Sequence, residues 1–226
     1  MSAPADIWTV VPVKAFDLAK QRLAPAYPPD LRRDLARAML EDVLDTLTGV
    51  TGIAGIAVVT LDPEAGELAR ACGAEVFEEE AGAGLNEAVR AAARRLAREG
   101  RGGMLVVAGD IPGITVHEVE ALLALHGGRR GLTLVPAHDR RGTNALIMTP
   151  PDAMPPDFGE DSFVRHLRAG RVAGLEPVAL PLQHIGLDLD HPQDVATFAR
   201  TPSHTRTWRY LLSQGLVTGC ESESII

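Results

Sequence analysis

Cysteine and aromatic residues are scarce in this chain of 226 residues. The two cysteines, Cys72 and Cys220, stand alone in the sequence, which excludes both a zinc cluster and a disulfide framework. Aromatic residues make up 4% of the chain, so aliphatic side chains and alanine must fill the core. No apolar run approaches the roughly 18 residues of a membrane span, and no secretory signal precedes the first strand-like run. We therefore expect a soluble, cytoplasmic protein.

An excess of positive charge is also missing. The chain has 30 Asp and Glu against 22 Lys and Arg, a formal charge of -8. This balance argues against nucleic acid and anionic membranes as partners, because both bind basic surfaces. A small anionic substrate remains compatible with it, because a few local cations and a bound metal can reverse the sign inside one cleft.

Length and composition predict one domain, since 226 residues with 46% hydrophobic content can build one sizeable core. We assign residues 1–202 to this domain. The composition turns polar after that point, so residues 203–226 are interpreted as a C-terminal tail with one short helix and a frayed end.

Short apolar runs alternate with helical patterns, which predicts an α/β fold with a mostly parallel sheet covered on both faces. Strands are expected at 7–13, 53–61, 75–77, 104–108, 132–136, 145–148, 178–182 and 185–189. Helices are expected from a cap at Asp30 through 47, and at 85–98, 115–125, 162–169 and 192–199, with Gly170 ending the fourth. In such sheets, ligands bind beyond the carboxyl ends of the strands.

Three cations follow the first predicted strand: Lys14, Lys20 and Arg22. A nucleoside triphosphate carries close to four negative charges, which ammonium and guanidinium groups in one loop can neutralise. The alternative is an ordinary basic loop in water. We expect Lys20 and Arg22 to lie in a polar loop and to contact phosphates rather than the core.

Carboxylates end two later predicted strands. Asp110 follows a buried run, and the alternation in 185–190 would place Asp188 and Asp190 on one face of a strand. Like charges so close repel unless a cation lies between them, and hard oxygen ligands favour Mg²⁺ or Mn²⁺. The alternatives are a turn or helix cap at Asp110 and a helix cap at Asp190.

Two turns carry hydroxyl groups and glycine. Thr143 lies in one of them, and Gly159 and Ser162 lie in the other, directly before a helix whose N-terminal amides suit an anion. Asn86 is either in a base-recognising loop or a helix cap. For His166 we favour a surface or hydrogen-bonded helical histidine over a catalytic one.

In their order along the chain, these segments resemble the CofC/FbiD guanylyltransferases of deazaflavin coenzyme (factor 420) biosynthesis. The resemblance covers roughly residues 7–200 and rests on PVK (12–14), AKQRLAP (19–25), GLNEAV (84–89), AGDIP (108–112), RGTNAL (141–146), FGEDSFVRHLRAG (158–170) and LDLDHPQDV (187–195). Each motif is weak alone, whereas the ordered set is specific. One departure is His191, which stands where the family usually has threonine and makes the local helix cap uncertain.

The resemblance implies a single-domain, Rossmann-like nucleotidyltransferase fold with a mostly parallel mixed sheet. It implies transfer of GMP from GTP to 3-phospho-D-glycerate, 2-phospho-L-lactate or phosphoenolpyruvate, with release of pyrophosphate. By motif position, the implied roles are metal ligands at Asp110, Asp188 and Asp190; nucleotide contacts at Lys14, Lys20, Arg22 and Asn86; acceptor contacts at Thr143, Gly159 and Ser162; and catalytic roles for Asp110, Lys20 and Arg22. The cofactor would be Mg²⁺ or Mn²⁺.

Several alternatives stay open at this point. The chain could be another metal-dependent nucleotidyltransferase, of the molybdopterin-cofactor or sugar-phosphate type, although the Gly-Gly-x-x-x-Arg-Met loop usual there is missing. It could also be a non-catalytic nucleotide-binding regulator. The GTNAL motif and the Phe after Ser162 look less like the phosphoenolpyruvate-using members of the family, and this resemblance favours 3-phospho-D-glycerate or 2-phospho-L-lactate as the acceptor. The number of metal ions, homodimer formation and hand-over of the product to the next enzyme are open.

Overall fold

The computed structural model describes residues 6–78 and 84–217. It contains seven strands: β1 (Ile7–Pro12), β2 (Gly55–Thr60), β3 (Glu75–Glu78), β4 (Gly103–Val107), β5 (Gly131–Pro136), β6 (Thr143–Thr149) and β7 (Pro177–Ala179). The α-helices are α1 (Pro29–Thr48), α2 (Pro63–Ala71), α3 (Gly84–Arg98), α4 (Val116–His126), α5 (Ser162–Val172), α6 (Pro192–Ala199) and α7 (Arg206–Ser213). Short 3₁₀ turns lie at Phe16–Leu18 and Gln21–Leu23. None of the described helices is long and apolar enough to cross a membrane.

The seven strands form one mixed sheet in the order β3-β2-β1-β4-β6-β5-β7. Strands β1 to β4 are parallel, and β6 runs antiparallel between β4 and β5. The order reverses at β1 and β4, which are adjacent with Val10 opposite Val106. Such a switch point separates the loops that follow the two strands and opens a crevice there. The mostly parallel α/β fold expected from the sequence is confirmed.

Two apolar clusters cover the two faces of the sheet. The cluster on one face includes Leu35, Met39, Val43 and Leu47, the four-residue repeat of α1, together with residues from α2, α4, α6 and α7. The other includes the alanine-rich face of α3 and apolar residues of α5. Both faces are therefore buried, which explains why the strands are apolar nearly throughout.

The expected strand at 185–189 is wrong. The chain turns there, with the amide of Gly186 donating to the carbonyl of Leu182 at 2.9 Å, and then runs extended to α6 without joining the sheet. The alternation of Ile185, Leu187 and Leu189 reflects burial of an irregular segment, since Ile185 and Leu189 are both fully buried. Period-two burial alone therefore does not identify a strand.

Two expected helix ends are also wrong. Asp30 lies inside the first turn of α1, which begins at Pro29 after Pro28. Gly170 lies within α5 rather than ending it, because the helix continues to Val172. A Cβ at Gly170 would lie 2.6 Å from the side chain of Leu132, so glycine serves close packing of the helix on the sheet there.

The described part of the predicted tail packs against α1. Helix α7 is the short helix expected there, and Trp208 and Leu211 are buried in the main apolar cluster. The carboxylate of Asp42 in α1 accepts the amides of Arg206 (2.7 Å) and Thr207 (2.8 Å) and so caps α7. Residues 218–226, including Cys220, lie outside the described residues, and the domain boundary at residue 202 stays a prediction.

Candidate active site

The loops after β1 and β4 meet through a lysine held between two carboxylates. The Nζ of Lys20 lies 2.6 Å from Oδ2 of Asp110 and 2.8 Å from Oδ1 of Asp190. Arg22 reaches the other oxygen of Asp190 at 3.0 Å. The side chain of Lys20 is only 5% exposed, whereas that of Arg22 is 61% exposed. The alternative of an ordinary basic loop in water is therefore wrong for Lys20.

The backbone at Lys20 is held in an unusual conformation. Its φ of 55° lies in the left-handed region, which a side chain with a Cβ adopts at some energetic cost. The buried guanidinium of Arg32 in α1 lies 3.4 Å from the carbonyl of Ala19 and 3.5 Å from that of Lys20. These contacts fix the turn that directs Lys20 toward the carboxylates. No local pattern marks Arg32, which looks like one more charged residue of an amphipathic helix.

Asp188 is positioned by a buried glutamate in another element. Both carboxylate oxygens of Glu118 in α4 accept backbone amides, those of His184 at 3.0 Å and Ile185 at 2.8 Å. Downstream, the amide of Leu189 donates to the carbonyl of Asp110 at 3.1 Å. These bonds bring the extended segment carrying Asp188 beside the end of β4. The Thr115-x-x-Glu118 motif predicts a reciprocal helix cap, and only its threonine half forms, with Thr115 accepting the amide of Glu118.

Asp190 does not cap the following helix. His191 is the N-cap residue of α6, and the carboxylate of Asp194 accepts the amides of Asp190 (3.2 Å) and His191 (2.7 Å). The side chain of Asp190 is therefore free for Lys20 and Arg22. The helix cap that His191 made uncertain is therefore present, because the carboxylate of Asp194 accepts the amide of His191 and no threonine is needed at that position.

The carboxylates carry more negative charge than the nearby cations neutralise. Burial and the charges of Asp110 and Asp190 raise the pKa of Asp188 to about 6, against a 3.0 Å hydrogen bond from Asn144 that favours the ionised form. Burial opposes the charge of Asp190, but Lys20 and Arg22 outweigh it and hold its pKa below the ordinary value. Burial likewise disfavours charged Lys20, yet the two carboxylates raise its pKa.

This imbalance fits a divalent cation. Three carboxylates face two cationic side chains, and Asp188 in particular has no ion-pair partner among the described residues. Oxygen ligands of this kind suit Mg²⁺ or Mn²⁺. Within residues 6–78 and 84–217, however, no three acidic, histidine or cysteine side chains converge as a ready metal cluster. The ammonium of Lys20 instead lies between Asp110 and Asp190.

The predicted acceptor residues also come together, around the start of β6. Thr143 Oγ1 lies 3.0 Å from Nδ1 of His166 and 3.4 Å from the hydroxyl of Ser162. All three side chains are buried. The expectation that His166 is a hydrogen-bonded helical histidine is confirmed, because both ring nitrogens have partners. The helix amides are less available than expected, since Ser162 and Phe163 already donate to the carbonyls of Gly159 and Arg141.

The loop that precedes α5 is held by two residues of α3. Gly159 adopts a φ of 119°, which glycine tolerates. Asn86 in α3 bonds both sides of Phe158, accepting its amide at 2.6 Å and donating to its carbonyl at 3.0 Å. Arg90 donates to the carbonyl of Pro156 at 3.0 Å. The amide of Asn86 is thus used to fix the loop, and its expected contact with guanosine stays a prediction.

One residue pair connects the acceptor group to the carboxylates. Thr143 and Asn144 are neighbours on β6; the first faces His166, and the amide of the second donates to Asp188 at 3.0 Å and to the carbonyl of Ile185 at 2.9 Å. Lys14 is less involved: it is exposed, and within the part of the chain that the structure describes it forms no ion pair with the carboxylates. Asn144 was not among the predicted site residues, although it stands directly beside one.

A mixed sheet with a switch point between β1 and β4, and with a buried lysine paired to carboxylates at that point, is the arrangement of a nucleotidyltransferase. The fold agrees with a solved structure. A putative nucleotide-diphospho-sugar transferase from Desulfovibrio desulfuricans G20 superposes with a TM-score of 0.77 at 19% identity, covering 95% of this chain and 100% of that one.

Residues 7–224 match the family described as guanylyl transferase CofC like, and the chain belongs to this family. It is 38% identical over 190 residues to a phosphoenolpyruvate guanylyltransferase of Sphaerobacter thermophilus, covering 84% of this chain and 91% of that protein. It is 35% identical over 192 residues to a 3-phospho-D-glycerate guanylyltransferase of Phenylobacterium zucineum, covering 84% and 88%. The expected family and enzyme class are therefore confirmed.

Proposed function

We propose that this chain transfers GMP from GTP to the phosphate of a phosphorylated three-carbon acid and releases pyrophosphate. Membership of the guanylyl transferase family supports the reaction, and the names of the two relatives supply the acceptor class. The observation that carries the proposal is the bond between Asn144 and Asp188 beside Thr143. This bond holds Asp188, one of the carboxylates proposed for the nucleotide side, against Asn144. The neighbouring residue, Thr143, carries the hydroxyl group proposed to bind the acceptor.

The chemistry follows from the charges. An oxygen of the acceptor phosphate attacks the α-phosphorus of GTP, the new P–O–P bond forms, and pyrophosphate leaves with the electrons of the broken bond. The attacking oxygen is already anionic, so no general base is needed. The main barrier is repulsion between two anions, which fixed positive charge lowers.

Each predicted residue has a role in this proposal. Lys20 and Arg22 would neutralise the GTP phosphates, and Asp110, Asp188 and Asp190 would hold Mg²⁺ or Mn²⁺. A divalent ion there would supply further charge neutralisation for the phosphates.

Lys14 and Asn86 would contact the nucleotide from the rim. The side chain of Asn86 already hydrogen-bonds to both the backbone amide and the backbone carbonyl of Phe158. To contact the base, Asn86 would therefore have to give up one of these hydrogen bonds. Thr143, Gly159 and Ser162 would form the acceptor site. The acid itself stays open: the preference for 3-phospho-D-glycerate or 2-phospho-L-lactate is a prediction, and the relatives carry two different acceptor names.

We further propose a cytoplasmic location and a place in deazaflavin coenzyme biosynthesis, as the family resemblance implies. The product would then be handed to the next enzyme of that pathway. A homodimer is part of the same proposal.

The test is pyrophosphate release from GTP with Mg²⁺ and each of the three acids, with ATP and CTP as control nucleotides. We expect release with GTP that depends on one acid, and its loss in Asp110→Asn. Release without any acid would indicate hydrolysis and contradict the proposal, and so would equal use of all three nucleotides. A preference for phosphoenolpyruvate of tenfold or more, about 1.4 kcal/mol, would overturn only the acceptor preference.

A further inference from the structure

A buried chain of hydrogen bonds runs from the loop before α5 to Thr143. The backbone amide of Asp157 donates to Nε2 of His166 at 2.9 Å, and Nδ1 of His166 lies 3.0 Å from Oγ1 of Thr143. His166 is fully buried, and the ring of Phe158 packs against it edge-on with the centroids 4.9 Å apart. Neither ring nitrogen is therefore open to water.

The donor at one end fixes the tautomer of His166. A backbone N–H can only donate, so Nε2 must be an acceptor and carry no hydrogen. A neutral imidazole then has its hydrogen on Nδ1, which donates to Thr143. Burial lowers the pKa of His166 to about 4, although Asp157 acts in the opposite direction, so the ring is neutral at physiological pH.

The hydrogen bonds that Thr143 already accepts limit what its hydroxyl can offer a ligand. Its hydroxyl accepts from His166 and also from Ser162 at 3.4 Å, and a hydroxyl oxygen has two lone pairs. With both filled, Thr143 can only donate. Thr143 is 6% exposed against 1% for Ser162, so it is the more accessible residue of the pair. A donor-only hydroxyl suits an anionic oxygen and not a ligand N–H or O–H.

We propose that His166 is a positioning residue for the acceptor, which makes the Thr143 hydroxyl an obligate donor to an anionic oxygen of the phospho-acid. Ser162 supports the same arrangement by donating to Thr143. The inference rests on the proposed function for the identity of the acid, but the tautomer and the bonding of Thr143 do not depend on it.

Two substitutions of His166 separate its two bonds. In His166→Gln, the side-chain carbonyl can reach the Nε2 position and accept from Asp157, while the donor to Thr143 is lost. In His166→Asn, the amide nitrogen occupies the Nδ1 position and can donate to Thr143, while the acceptor for Asp157 is lost. His126→Gln is the matched control, because His126 is also buried between two hydroxyls, those of Thr133 and Thr149.

We expect His166→Gln to raise the KM for the phospho-acid about tenfold and to leave the KM for GTP within about twofold, as one lost hydrogen bond of this kind predicts. His166→Asn should raise the acid KM by less than about threefold. His126→Gln should lower the melting temperature without changing either KM. In a Thr143→Val background, His166→Gln should add no further change, because the hydroxyl it acts on is gone.

Nitrogen NMR of the wild-type protein with labelled histidine gives a readout that does not need turnover. The expected result is a neutral His166 with hydrogen on Nδ1. Hydrogen on Nε2 would overturn the inference whether or not the enzyme uses GTP. The inference would also be overturned if His166→Gln and His166→Asn raised the KM for the acid equally. The same holds if His126→Gln raised this KM as much as His166→Gln does. Absence of guanylyl transfer in the wild type would instead refute the proposed function, with the NMR result still deciding the role of His166.

Discussion

Replacing Asp188 by asparagine is expected to stabilise the metal-free protein while abolishing turnover. The carboxylate of Asp188 is partly buried beside Asp110 and Asp190, and these surroundings raise its pKa from the ordinary value of 3.8 to about 6. At a pH between these two values, the folded state therefore keeps a proton on Asp188 that the unfolded chain has released. Stability falls as the pH rises through this window, and the loss is complete above pH 6.

The size of this effect follows from the shift. About two pKa units correspond to about 3 kcal/mol, which is the most that an uncharged isostere can recover at neutral pH. For a chain of this length, 3 kcal/mol is about 6 to 12 °C in melting temperature. The asparagine carbonyl can still accept from Asn144, so the local structure should persist. Turnover should nevertheless fall at least a hundredfold, because a proposed metal ligand is lost.

The assay is urea unfolding at pH 7.5 in chelator, beside pyrophosphate release with Mg²⁺. Glu118→Gln is the matched control, since it also converts a buried carboxylate to an amide. There both oxygens accept backbone amides, so the substitution should destabilise the protein by about 1 to 3 kcal/mol. If Asp188→Asn destabilised the protein by as much as Glu118→Gln, or kept normal turnover, the reasoning about uncompensated charge would be refuted.

Three further predictions concern other parts of the chain. Lys20→Met should lower the free energy of unfolding by about 3 kcal/mol or more, because it removes the ion pair of Asp110 and leaves Asp190 only with exposed Arg22. Arg22→Met should change the free energy of unfolding by less than about 1 kcal/mol, and urea unfolding in chelator compares the two variants. Gly170→Ala should destabilise by about 1 to 3 kcal/mol despite its better helix propensity, because the new Cβ meets Leu132; unchanged or higher stability would contradict the close packing. As the pH drops from 6.5 to 4, the free energy of unfolding should fall by up to about 3 kcal/mol, because His166 takes up a proton in the unfolded chain but not in the folded one. In a series of unfolding measurements at different pH, His166→Gln should not show this fall.

The sequence predicted the sheet well because its strands are short, apolar and separated by strongly periodic helices. The alternation at 185–189 misled because an irregular buried segment can also place every second residue inside. Helix α5 was ended too early at Gly170, since glycine at a helix end and glycine at a close helix contact look alike in one sequence.

Parts of the candidate site were predictable because motif order marks the charged loops. The structure brings Lys20, Asp110 and Asp190 into direct contact, and it brings Thr143 beside Ser162. The supporting residues were not predictable. Arg32, Glu118 and Asn144 act through contacts with residues 12 to 67 positions away, and no local pattern reports such contacts.

The most direct test of the central claim is the identity of the product. Phosphorus NMR and mass spectrometry of a reaction of GTP, Mg²⁺ and a phosphorylated three-carbon acid should show one new molecule. In it, the α-phosphorus of GTP and the phosphorus of the acid are joined through a single oxygen, and pyrophosphate is formed in equal amount. Free GMP or GDP as the only nucleotide product, with the acid recovered unchanged, would contradict the account.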